Sequence, residues 1–180
     1  MVGGASATTL SLSMVADDFF EAYISTDDSV QGTQFAAQTQ TWQFGTVTGN
    51  VALTPGMTHY LHVRARDVFG APSMLVGQLG LSDALFEFEN QSQSLLTNST
   101  EWKLSLSGFG SGYTTPTIVG QNGQNVWGTQ GGISLSALRI WSSQTQGEHY
   151  FSVRINPVPE PATMTALVLG GAALIRRRKQ

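Results

Sequence analysis

Apolar and polar residues alternate along most of this chain. In TTLSLSMVADD, Leu10, Leu12 and Met14 stand against Thr9, Ser11 and Ser13. That period of two predicts a half-buried strand. FFEAYIS puts Phe20, Ala22 and Ile24 on one face, and TDDSVQGT reads as a polar turn. QTWQFGTVTG predicts a strand around Trp42 and Phe44. THYLHVRARD sets His59, Leu61, Val63 and Ala65 against Tyr60, His62, Arg64 and Arg66, the clearest amphipathic strand of the chain. FGAPS predicts a turn and SMLVGQLGL a buried strand; LFEFEN, EWKLSLS, GISLSALRIWS and HYFSVRI are short and rich in strand formers. The Gly-rich stretch GFGSGYTTPTIVGQNGQNVWGTQGG predicts a loop with at most brief strands. No long helical stripe precedes Pro157 and no repeat of fixed period appears. The pattern predicts an all-β fold, an antiparallel β-sandwich, over residues 1–156.

The pattern breaks at residues 157–180. Pro157, Pro159 and Pro161 hold the backbone before them extended. From Ala162 to Ile175 fourteen residues carry no charge; as a helix they span about 21 Å. Ala162, Leu167, Val168, Leu169, Leu174 and Ile175 supply the apolar surface. The predicted short C-terminal hydrophobic helix falls below the 20 or so residues that cross a bilayer comfortably, though thinning and snorkelling help. Arg176, Arg177, Arg178 and Lys179 form a basic cluster that the positive-inside rule keeps cytoplasmic. The order is an extended proline motif, an apolar stop and a basic latch. VPEPAT, the apolar run and RRRK together resemble a PEP-CTERM sorting signal of Gram-negative bacteria, a module also labelled an ice-binding protein C-terminal domain. The resemblance implies that Pro159, Glu160 and Pro161 are recognised by an exosortase-type membrane protease. It implies a transient stay in the inner membrane, then a place at the cell surface or in the extracellular matrix, with exopolysaccharide as a partner. A plain membrane anchor is the simpler alternative, but it needs no Pro-Glu-Pro. The ice-binding label names the tail only, since Thr114, Thr115 and Thr117 lie in an irregular loop rather than a flat array.

Composition fits export. Charged residues make up 12% of the 180, with 20 glycines and no cysteine. Ser, Thr, Gln and Asn take the place of Lys and Glu, as on an extracellular β-protein with neutral faces. Residues 1–156 hold five basic and eleven acidic side chains, a formal charge of −6; residues 157–180 carry +3. An acidic body disfavours nucleic acid. Without cysteine, disulfides and thiolate chemistry are excluded. MVGGASATTL has no basic and apolar export signal, so an exported protein of this kind is expected to begin upstream of Met1.

The body carries a second resemblance. VADDFFEAYIS, then a Trp strand, then LTPGMTHYLHVRARD, and later VWG and ALRIW, resemble galactose-binding-like jelly-roll domains over residues 8–155. The usual short Asn-Gly hairpin is replaced here by STDDSVQGT. A sugar-binding role, the alternative to a structural or interaction module, would place a ring on a loop aromatic, with Trp127 and neighbouring Tyr113 as candidates. Asp17-Asp18 and Asp27-Asp28 sit at opposite ends of one strand, too far apart to share one ion. Each pair is expected to cap turns in solvent, with separate structural calcium sites as the alternative. His59 and His62 point to opposite faces and cannot share a metal locally. No cofactor or metal is expected. Glu87 and Glu89 share a face, but no nucleophile elbow, zinc motif or phosphate loop appears, and the sequence argues against an enzyme.

Overall fold

The computed structural model describes residues 7–159. Strands β1 (Thr9–Asp17), β2 (Phe19–Ser25), β3 (Thr33–Gln38), β4 (Val47–Ala52), β5 (His59–Asp67) and β6 (Met74–Leu81) come first. They are followed by β7 (Phe86–Phe88), β8 (Ser94–Leu96), β9 (Lys103–Ser105), β10 (Thr117–Gln121), β11 (Leu138–Trp141) and β12 (Gly147–Pro157). One sheet runs β10-β11-β6-β1-β4, with β8 also on β6; the other runs β3-β2-β5-β12-β7, with β9 also on β12. Every pairing is antiparallel. Leu10, Leu12, Met14 and Ala16 of β1 meet Phe20, Ala22, Leu61, Val63, Phe151 and Val153 of the facing sheet in a single core. This is the all-β sandwich that the alternation predicts.

The outer face of the first sheet is covered as well. Val15, Met74 and Val76 point away from the central core and pack against Trp127, Ile133 and Ala137. Near the ends of β1 and β6 both strand faces are therefore apolar, and the Gly-rich segment after β10 folds back over them.

One local expectation is corrected. The strand expected around Trp42 and Phe44 is a 3-10 helix, Trp42–Phe44. The Phe44 N–H donates to Thr41 O and the Gly45 N–H to Trp42 O, both at 3.1 Å. Gly45, at φ 91°, then turns the chain, and the strand begins only at Val47, opposite Met14. The strands β3 and β8 form where the alternation is weak, in TQFAAQ and SLL. Among the described residues no helix is long and apolar enough to cross a membrane. Glu160, Pro161, the apolar run with Ala162, Leu167, Val168, Leu169, Leu174 and Ile175, and the cluster Arg176, Arg177, Arg178 and Lys179 lie outside the described residues.

Candidate functional site

The two ends of β12 define two poles. Gly147 pairs with Asp67 at one end, and Pro157 pairs with Phe86 at the other. The eleven residues between them extend about 35 Å.

The Asp67 pole gathers the residues that carry the jelly-roll resemblance from four separate stretches. Asp17 and Asp18 form the turn between β1 and β2. Buried Gln38 clamps that turn, accepting from the Ala16 N–H at 3.0 Å and donating to Ala16 O at 2.7 Å and to Asp18 O. Asp18 Oδ2 accepts the Val68 N–H at 3.0 Å. Asp67 Oδ1 accepts the N–H groups of Phe69 and Gly70 at 2.9 and 2.7 Å, and the Ser73 hydroxyl lies between Asp67 Oδ2 and Thr145 O. Asp18 and Asp67 thus cap backbone N–H groups, whereas Asp17 accepts only a side-chain donor, the Trp127 indole, and Asp17 and Asp18 are buried rather than solvated. Burial pushes the Asp17 carboxyl up to about 7; Asp18 and Asp67 nearby add to the rise, and the Trp127 indole opposes it. Among the described residues no group of three or more His, Asp or Glu is placed to hold a metal ion.

Trp127 belongs to this pole, but not as an open platform. It is 4% exposed, and its Nε1–H donates to Asp17 Oδ2 at 2.8 Å. The Arg139 guanidinium carbon lies 5.2 Å from its ring centroid. Fully buried Arg139 also donates to the carbonyls of Gln124 and Gly128, fixing the loop that carries the indole. Asn122 Nδ2 donates to Gln130 O and Ile133 O at 3.2 and 2.9 Å, and its Oδ1 accepts the Gln130 N–H at 2.8 Å. A ring held between a sheet and a guanidinium offers no free face for stacking, so the expectation of Trp127 as a sugar platform is corrected. Tyr113 is elsewhere. Its hydroxyl donates to Asp28 Oδ1 and accepts the Gly110 N–H, both at 2.9 Å. The structure does not join the two aromatics into one site.

Beside Trp127 opens a cleft of about 680 Å³. Ala71, Pro72, Val119, Val126, Trp127 and Trp141 supply its apolar lining, and Ser73, Asn125, Ser142 and Thr145 its polar groups. None of these side chains is charged. No local motif in the sequence marks this cleft. Its one visible signal is the run Met14-Val15-Ala16, whose successive apolar residues demand cover on both faces of a strand.

The cleft wall contains a hydroxyl–imidazole pair, with Ser142 Oγ 2.6 Å from His149 Nε2. The other ring nitrogen faces Gly147 O at 3.3 Å rather than a carboxylate. Ser142 Oγ also accepts the Gln144 N–H and reaches Gln144 O, both at 2.9 Å. That hydroxyl closes a turn and satisfies a buried histidine under Trp141, whose ring centroid lies 4.3 Å away.

The histidines on β5 separate as their spacing predicts. His59 meets Phe86 edge-on at 5.5 Å at the end of the core, while His62 lies on the outer face, stacked under Phe109 at 4.1 Å. On that face Arg64 bridges Glu21 and Glu148, with Tyr23 and Tyr150 donating to those two carboxylates at 2.6 Å each. These half-exposed pairs are a surface network of modest worth.

At the opposite pole β12 runs straight into the tail. The Val158 N–H donates to Leu85 O at 2.8 Å, and exposed Pro159 follows at once. No curated protein and no solved structure matches the chain. Residues 157–179 match the family model of the PEP-CTERM protein-sorting motif, so the chain carries, immediately after its last strand, the signal of an exported protein sorted by exosortase.

Proposed function

We propose that the protein is delivered to the cell surface or extracellular matrix through transient insertion of its tail in the inner membrane. An exosortase-type protease recognises Pro159, Glu160 and Pro161 while the apolar run and the basic cluster hold the tail in place. The sandwich then serves outside as a non-catalytic structural and interaction module in exopolysaccharide. One observation carries this reading: the sorting motif adjoins the end of β12, while the pre-shaped cleft opens at the other end of the same strand. The tail thereby presents the cleft outward. The body has the jelly-roll arrangement of galactose-binding-like domains, supported by Asp17, Asp18, Asp67, Trp127 and Trp141 meeting at one pole of two antiparallel sheets. Intact mass of the protein from its own cells, separated into membrane and extracellular fractions, tests the proposal. An extracellular form ending near Pro157–Pro161 is expected. A form that keeps Gln180 and stays in the membrane defeats it.

The uncharged cleft favours a second reading, carbohydrate binding. Amide and hydroxyl groups beside two indoles suit a neutral sugar residue better than an ion. The site then moves from the face of Trp127 and from Tyr113 to the wall formed by Asn125, Ser142, Trp127 and Trp141. Titration with neutral oligosaccharides of the host matrix, followed by NMR, is expected to move the indole N–H signals of Trp127 and Trp141. Unchanged indole signals at saturating sugar reject the site.

A further inference from the structure

The support of β12 changes from two-sided to one-sided just before the sorting motif. Up to Ile155 the strand is paired with β5, and Ile155 is the last such residue, opposite His59. Asn156 and Pro157 face only Glu87 and Phe86 of β7. Pro157 has no N–H to give. Beyond it a single backbone bond remains, from Val158 to Leu85 O, and Leu85 is itself 45% exposed. Pro159 comes next, with no spacer between the fold and the motif.

A protease holds its substrate extended over several residues around the cut, and strand-like binding needs the backbone N–H and C=O groups of those residues. Residues on one side of Pro159-Glu160-Pro161 are already committed to a sheet. Cleavage at the edge of a folded domain therefore proceeds through local opening, and its rate follows the population of the open form. We propose that Asn156–Val158 is a latch that must leave β7 before the sorting protease can grip the Pro-Glu-Pro motif, so that fraying of this rung sets the processing rate. The proposal rests on the tail being a processed sorting signal. Ile155 is fully buried and paired on both sides, so opening stops there and the sandwich stays folded.

The chain has no cysteine of its own, which makes a clean test available. Glu87 and Asn156 are directly opposed, so the double variant E87C/N156C places its only thiols within disulfide reach across the rung. The full chain, oxidised or reduced, is incubated with host membrane vesicles that contain the sorting protease, and the cleaved fraction is followed by mass. The oxidised form is expected to be cut about tenfold more slowly than the same protein reduced, because the rung can no longer open. V158P, which removes the last backbone donor, is expected to be cut about fivefold faster than the wild type, the worth of one net hydrogen bond. Equal rates for oxidised and reduced protein, with V158P unchanged, overturn the latch while leaving the sorting reading intact. If no form is cut, wild type included, the sorting reading fails and the latch falls with it.

Discussion

Asp17 shows how much one side chain can ask of a fold. It accepts an indole N–H, lies beside two other carboxylates and has its pKa pushed up to about 7 from an ordinary 3.8. A carboxyl raised in the folded state adds stability that is complete below its unfolded value and is lost as the pH climbs through the folded value. Burial lowers His59, His62 and His149 from their ordinary 6.5. Their contribution has the opposite sign: it is present above 6.5 and lost as the pH falls below that value. Between 3.8 and 6.5 the two effects oppose each other and flatten the pH dependence. Asp17→Asn removes the first and leaves the second, and asparagine can still accept the Trp127 N–H. Relative to the wild type, the variant is expected to gain stability steadily as the pH rises from 3.8 to about 7, and no further above that. Urea unfolding at several pH values measures this, and a difference that does not change with pH would falsify the assignment of Asp17.

At the scale of elements, the Gly-rich loop after β10 behaves as a second layer rather than a linker. Arg139 supplies the planar fork that holds the carbonyls of Gln124 and Gly128. A lysine ammonium cannot reproduce that fork or its face on the indole. Arg139→Lys is expected to cost about 1.5–3 kcal/mol, the worth of a hydrogen bond made by a charged group, and to speed amide exchange in residues 122–134 before the sheets are affected. Hydrogen exchange by mass spectrometry reads both. Exchange that rises equally everywhere would mean that Arg139 supports the whole sandwich instead. The strands with strong alternation, β1, β2, β5 and β12, were legible in the sequence because each buries one face in the central core. Edge strand β3 has no fully buried residue before Gln38, so its pattern carries little signal. The burial of Trp127 was hidden for a different reason. Gly, Asn and Gln around it describe a chain that can turn, and say nothing of what it turns back onto. The cue lay in β1 and β6, where Val15 and Val76 break the alternation and need cover.

At the scale of the whole molecule, the tail was the most legible part because its chemistry is local and ordered: prolines, an apolar run, then basic residues. The cleft was the least legible. Its wall comes from residues 71–73, 119, 125–127, 141, 142 and 145, and only the return of distant strands brings them together. Strand β12 has a last consequence. It is the final strand among the described residues, yet it sits inside its sheet, between β5 on one side and β7 and β9 on the other. A chain that leaves the cell with its N-terminus first would deliver its keystone last. Until then β5 would wait with one open edge of backbone and with core-facing side chains such as Val63 and Ala65 incompletely covered. On such a route the interval between emergence of β5 and arrival of β12 would be the one most open to aggregation, and its length would be set by the speed of export rather than by the stability of the finished sandwich.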